Sequence, residues 1–211
     1  MSELELATPR GHRHVAALSL ALQHFDPCVE TAERWGGVLA AVLLAGGRLI
    51  AAGNGGSAAQ AQHLTAELVG RYRQDRRPFS AICLTAETST LTAIANDYPA
   101  AELYARQVEA HARPGDVVVL LSTSGRSPNV VEAARRAKAV GARAWAFSGP
   151  RGNPLADACH EALCVESPFT ATVQELHLVA LHLVCAALDH QLEILAPAGD
   201  LSRRERLEVV R

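Results

Sequence analysis

Apolar residues recur every three or four positions over residues 10–25 (Val15, Leu18, Leu22) and 28–45 (Val38, Leu39, Val42, Leu43). That spacing predicts two N-terminal helices, the second stopped by Gly46 and Gly47. The pattern then changes. Short apolar runs without polar alternation, at 49–52, 81–84, 117–121, 144–147 and 162–165, alternate with helical stretches. Such runs predict strands covered on both faces, hence a mainly parallel sheet in an α/β fold. A last helix at 172–195 carries Leu176, Leu178, Val179, Leu181, Leu183, Val184 and Leu188 around much of its circumference. One sheet face buries less than that, so a central position or a subunit interface is expected. Residues 196–211 combine Pro197 and Gly199 with Arg and Glu and read as a mobile tail or short surface helix. The chain divides into N-terminal helices at 1–47 packing on one domain at 48–195, followed by the tail.

A chain of 211 residues, 49% hydrophobic and 20% charged, is long enough for one substantial core. A net charge of −2 provides no global field for nucleic acid or an acidic membrane, which leaves small metabolites as the expected partners. The basic run from Arg71 to Arg77 is broken by Asp75 and reads as a solvated or intersubunit surface. The start of the chain has no apolar leader, and the apolar stretch 179–188 is interrupted by His182 and shorter than the ~20 residues of a spanning helix. Five cysteines without a CxxC pair fit a reducing cytosol better than a disulfide framework. A cytoplasmic protein is expected.

In parallel sheets the ligand crevice lies outside the carboxyl ends of the strands. Two loops there attract attention. Gly53, Asn54, Gly55, Gly56 and Ser57 follow the first strand and precede a helix; glycines let backbone N–H groups approach an oxyanion, and Ser57 is placed to cap the helix. The spacing is neither GxGxxG nor GxxxxGK[ST], so a dinucleotide or nucleoside triphosphate is not indicated. Ser122, Thr123, Ser124, Gly125, Arg126 and Ser127 follow the third strand and open a helix near Pro128. Their hydroxyls and the free amides of a helix start suit a phosphate, although either loop alone is also ordinary turn chemistry. Both loops at one sheet edge favour the ligand reading.

His63 and Glu67 are four apart and share a helix face directly after the first loop. Gln174 and His182 lie two turns apart on the last helix. These four side chains are candidate N and O ligands for one divalent metal, with zinc best suited to imidazole plus carboxylate. The competing reading for any single histidine is a hydrogen-bonded core or surface residue. It is the reading given to His12, His14, His111, His160, His177 and His190.

The stretch from Gly53 to Tyr72, then Asn96 and Asp97, the 122–127 loop, and Gln174, Glu175, Leu176 and His177 with His182 together resemble the phosphoheptose isomerase family of SIS domains. The resemblance runs in order over residues 10–193. It implies a flavodoxin-like, mainly parallel five-stranded sheet flanked by helices, with N-terminal helices and a long C-terminal helix. It also implies a homotetramer with sites between subunits, and isomerisation of sedoheptulose 7-phosphate to D-glycero-D-manno-heptose 7-phosphate. Carried over, the zinc ligands (one ion per subunit) fall on His63, Glu67, Gln174 and His182. The substrate contacts fall on Asn54, Gly55, Gly56, Ser57, Glu67, Asn96, Asp97, Ser122, Thr123, Ser124, Ser127 and Gln174. Where many members have an acidic residue and an Arg, this chain has Ala171, Thr172 and Val173.

Aldose–ketose isomerisation through an enediol needs a base, a proton source for the oxygens and a stabiliser of developing charge. The resemblance gives the base to Glu67 and the acid to His182. The alternatives are a non-catalytic SIS protein of the kind that binds a replication initiator, or an isomerase of another ketose phosphate. The non-catalytic relative lacks the carboxylate and the imidazole at these two positions, and this chain keeps both.

Overall fold

A computed structural model describes residues 10–195; residues 1–9 and the expected tail at 196–211 lie outside the described residues. The five apolar runs form strands β1 (Leu49–Gly53), β2 (Ala81–Cys83), β3 (Val117–Ser122), β4 (Arg143–Ser148) and β5 (Glu161–Cys164). Every neighbouring pair is parallel, in the order β2-β1-β3-β4-β5, the flavodoxin-like order. The helices are α1 (Arg10–Leu22), α2 (Asp26–Leu44), α3 (Gly56–Val69), α4 (Thr88–Asp97), α5 (Glu102–His111), α6 (Pro128–Ala139), α7 (Pro154–Ala158) and α8 (Thr170–Leu195).

The apolar runs are continuous because β1 and β3 are buried at every position. Alternate side chains enter opposite faces. Leu49, Ala51, Val117, Val119, Leu121, Trp145 and Phe147 meet α2, α3 and α8 in one core, whereas Ile50, Ala52, Val118, Leu120, Ala144 and Ala146 meet α5, α6 and α7 in the other. In the first core Trp35 of α2 stacks on Trp145 with centroids 4.6 Å apart and planes 2° from parallel, and meets Phe147 edge-on at 5.5 Å.

The position of α8 accounts for its apolar circumference. Leu176, Leu181, Leu188 and Leu192 are buried in the first core, and α1 lies across the helix, joined to it by a 2.8 Å hydrogen bond between His14 and Glu175. Length and composition alone would let α8 cross a membrane, but half of its most apolar window is already buried within this fold.

The basic run, expected as a solvated or intersubunit surface, departs from that expectation at Arg76. Arg71, Arg73 and Gln74 are exposed, but Arg76 is buried. Its Nε donates to Asp189 of α8 at 2.9 Å, and its terminal nitrogens donate to the carbonyls of Glu67 and Leu68 at 2.8 and 3.0 Å. The last turn of a helix leaves carbonyls without internal partners, and an arginine can satisfy two of them while pairing with an acid on another element.

Helices α2 and α8 approach closely at Gly36, where an added Cβ would lie 2.7 Å from the backbone nitrogen of Leu188 and 2.8 Å from the carbonyl carbon of Ala187. Backbone atoms cannot rotate away as a side chain can. Gly36→Ala therefore separates the two helices, and the overpacking cost of ~1–3 kcal/mol exceeds the ~0.5–1 kcal/mol gained in helix propensity. A lowered thermal midpoint is the expected result; an unchanged or raised one would show that the crossing has room to spare.

Candidate active site

The two candidate loops leave neighbouring strands. β1 runs into residues 53–57 and β3 into 122–127, and since β1 pairs with β3 on one side and β2 on the other, the loops flank the switch point of the sheet. Open parallel sheets bind ligands at that point.

In the first loop Gly55 has φ of +56°, a conformation that favours glycine, and it occupies the N-cap position of α3. Ser57 was expected to cap the helix but does not. Its side chain is buried within the first turn, and the N-cap makes no side-chain hydrogen bond. The helix starts earlier because the carbonyl of Asn54 already accepts from the Ser57 amide at 3.0 Å. Gly56 leaves room for Gln174: a Cβ there would displace the side-chain amide of Gln174, which rests on it.

The second loop is braced from within. Ser122 Oγ accepts from the Gly125 amide at 3.1 Å and Ser124 Oγ from the Arg126 amide at 3.2 Å. Both hydroxyl hydrogens remain available as donors to an anion. Gly125, at φ +62°, packs against Asn153, whose carbonyl oxygen accepts from Ser148 Oγ and the Ala156 amide at 3.0 Å each. Ser127 precedes Pro128 and occupies the N-cap position of α6. Thr123 and Ser124 line an open cleft together with Arg126, Arg151 and Thr170.

The titratable cluster lies beyond the first loop, where α3 faces α8. His63 Nε2 is 2.8 Å from Glu67 Oε1, and the ring of His63 meets that of His182 edge-on at 5.1 Å. One ligand atom from each of His63, Glu67 and His182 falls within 4.8 Å of the others, and all three side chains are half-buried. Two imidazoles and a carboxylate at that separation fit a divalent transition metal. Tyr72 stacks on His182 at 5.5 Å, covering its other side. Burial, then the neighbouring His63, hold the His182 imidazole below its usual pKa, while Glu67 opposes them.

Gln174 lies at the other end of this helix pair. Its backbone carbonyl accepts from Gln60 Nε2 at 2.6 Å, and its amide rests on Gly56, seven residues or roughly 10 Å of helix before His63. Asn96 and Asp97 are exposed at the end of α4, where the Asn96 amide donates to Asp97 at 2.7 Å. In this chain they make no described contact with the loops or the cluster.

His14, His160 and His177 are hydrogen-bonded within the fold, away from the cluster. His177 is fully buried, burial pushes its pKa down to about 4, and its neutral ring donates from Nε2 to the Ser148 carbonyl at 3.0 Å. Of the expected departures, Thr172 and Val173 point into the core and only Ala171 is exposed. Sequence reasoning did not single out Tyr72 for its contact with His182, nor Tyr104, Asn129 and Asn153, which brace the loops. An Asn directly after Ser127 and Pro128 is a weak signal, and nothing marks Tyr104 in its helix.

The chain matches the SIS domain family over residues 28–149. It is 62% identical over 180 residues to a phosphoheptose isomerase of Streptomyces coelicolor, covering 85% of this chain and 78% of that protein. Among solved structures, a phosphoheptose isomerase of Neisseria gonorrhoeae superposes with a TM-score of 0.79 at 36% identity, covering 86% of this chain and 97% of the other. One from Francisella tularensis superposes with a TM-score of 0.78 at 28% identity, covering 90% of this chain and all of the other. Parallel strand order, paired loops at the switch point, the three-residue cluster and these matches lead to one conclusion: the chain belongs to the phosphoheptose isomerase family of SIS domains.

Proposed function

We propose that this protein is an aldose–ketose isomerase that converts D-sedoheptulose 7-phosphate to D-glycero-D-manno-heptose 7-phosphate, with Glu67 and His182 as its acid–base pair. The observation that carries the reading is the convergence within 4.8 Å of His63 and Glu67, on the helix that continues from the first loop, with His182 of α8. A substrate phosphorylated at C7 and reacting at C1 and C2 needs its anchor and its chemistry set well apart. The roughly 10 Å of α3 between Gly56 and His63 supplies a separation of that order.

The hydroxyls of Ser122, Thr123, Ser124 and Ser127 bind the phosphate, with Asn54, Gly55, Gly56 and Ser57 along the sugar and Asn96 and Asp97 completing the contacts. Binding energy from the phosphate is remote from the reacting carbons and holds them in place. Glu67 removes the proton from C1 of the ketose and returns it to C2. His182 passes the balancing proton between the C1 and C2 oxygens, so the enediol forms and collapses with no external oxidant or reductant. His63, Glu67 and His182 would hold one zinc ion per subunit, and Gln174, the fourth ligand implied by the resemblance, rests two turns away against Gly56 and would have to swing toward them to join. The ion supplies polarisation of the sugar oxygens when bound.

Five free thiols suit the reducing cytoplasm in which we place the protein. Exposed Val15, Leu20 and Leu22 on α1, with Phe169 and Val179 along the last connection and helix, support a homotetramer that covers them.

Three outcomes are expected. Zinc should copurify near one equivalent per chain by elemental analysis, and chelation should abolish turnover; a metal-free preparation with full activity would remove the metal from this reading. Light scattering at micromolar concentration should give four times the chain mass, whereas a stable monomer would contradict the assembly. Glu67→Gln and His182→Asn should each lower kcat by about 10²–10⁴-fold, and the double variant should be little worse than the poorer single. Metal content measured on the same samples separates lost chemistry from lost zinc. Full activity of Glu67→Gln would refute the assignment of the base.

A further inference from the structure

Asn54 and Asn129 are 75 residues apart and face each other as an amide pair. Asn54 Nδ2 donates to Asn129 Oδ1 at 3.0 Å, and Asn129 Nδ2 donates back to Asn54 Oδ1 at 2.9 Å. The single hydroxyl hydrogen of Tyr104 is shared between the Gly53 carbonyl at 2.7 Å and the same Asn54 oxygen at 3.1 Å. Tyr104 is buried, and burial pushes its hydroxyl up to about 12, so it stays a neutral donor throughout the physiological range. Asn129 Oδ1 additionally accepts from the Val130 amide at 3.0 Å in the first turn of α6.

These bonds join the two ligand loops directly. Asn54 belongs to the loop after β1, and Asn129 opens the helix that continues the loop after β3. Both lone-pair positions of the Asn54 oxygen and one of its amide hydrogens are taken up within the protein, which fixes the plane of the side chain and leaves a single N–H for a ligand. An unbraced asparagine at an exposed loop tip would have to be ordered each time substrate binds.

We infer that Asn129, assisted by Tyr104, is a positioning residue that acts through Asn54 to hold the two substrate loops in register. It touches no reacting atom, and its effect belongs to ground-state binding rather than to the chemical step. The inference rests on the isomerase reading only for the identity of the ligand.

A double-mutant cycle on the full-length protein tests it. With sedoheptulose 7-phosphate as substrate, Asn129→Ser should raise KM by about tenfold while kcat stays within about threefold, as expected for loss of the two hydrogen bonds joining the loops. In an Asn54→Ala background the same substitution should change KM by less than about twofold, because its route to the substrate is already gone. Tyr104→Phe, which deletes one hydroxyl, should shift KM in the same direction with a smaller effect. An unchanged KM in Asn129→Ser, an equal loss in both backgrounds, or a fall in kcat that follows a falling thermal midpoint would overturn the proposal. The cycle repeated as calorimetric affinity for inorganic phosphate separates the two readings. A wild type without turnover whose phosphate affinity still shows the coupling would refute the isomerase and keep the brace, and a wild type that binds neither ligand would refute both.

Discussion

The buried Arg76–Asp189 pair joins the segment that follows α3 to the last third of α8, and the geometry of the cluster depends on that junction. Arg76 satisfies the carbonyls of Glu67 and Leu68 with the rest of its guanidinium, so the turn that carries Glu67 is tied to the helix that carries His182. Asp189 follows His182 by seven residues and thus lies on the same helix face, two turns on. A buried ion pair brings little net stability over an apolar replacement, but removing one partner leaves an uncompensated charge and is strongly destabilising. Its effect here is to fix register. At the other end of the helix pair, Gln60 bonds to the Gln174 carbonyl and Gly56 admits the Gln174 side chain. The cluster lies between these two fastenings.

In the candidate site the neutral hydrogen-bonding groups and the titratable groups occupy different regions. Around the 122–127 loop, serine hydroxyls accept from their own backbone amides and remain donors, which gives an anion many hydrogen bonds with little formal charge. Around α3 and α8 the groups are ionisable and half-buried, and burial, then the neighbouring His63, lower the pKa of His182. Elsewhere burial silences comparable groups. His177 is held neutral in the core, and burial pushes the thiols of Cys28 and Cys159 up to about 12. Among the described residues, His63, Glu67 and His182 are the group of such side chains placed to share a metal ion.

The fold and the positions of the candidate loops and of His63 and Glu67 are legible in residue order, because each rests on local pattern. Five uninterrupted apolar runs could only be strands buried on both faces, and the structure places all five in one parallel sheet. The two loops were identified by composition at strand ends, and His63 with Glu67 by the four-residue period of a helix. Helix ends are less legible: Ser57 reads as a cap, yet the positive φ available to Gly55 lets α3 begin two residues sooner. The basic run reads as solvated because the sequence does not show that Asp189, 113 residues later, would take up Arg76.

What the sequence determined by itself is the class of sheet, the chemistry of the loops and the helix face shared by His63 and Glu67, since those follow from periods of two and 3.6 and from backbone freedom at glycine. Only the tertiary structure decided that His182 meets that face while Gln174 sits two turns away against Gly56, and that Asn54 is held by Asn129 and Tyr104. These contacts join residues 50 to 119 positions apart, and their distances are set by how helices seat on the sheet and where Gly36 and Gly56 allow close approach. No local pattern encodes that seating, because it is a property of the packed core as a whole.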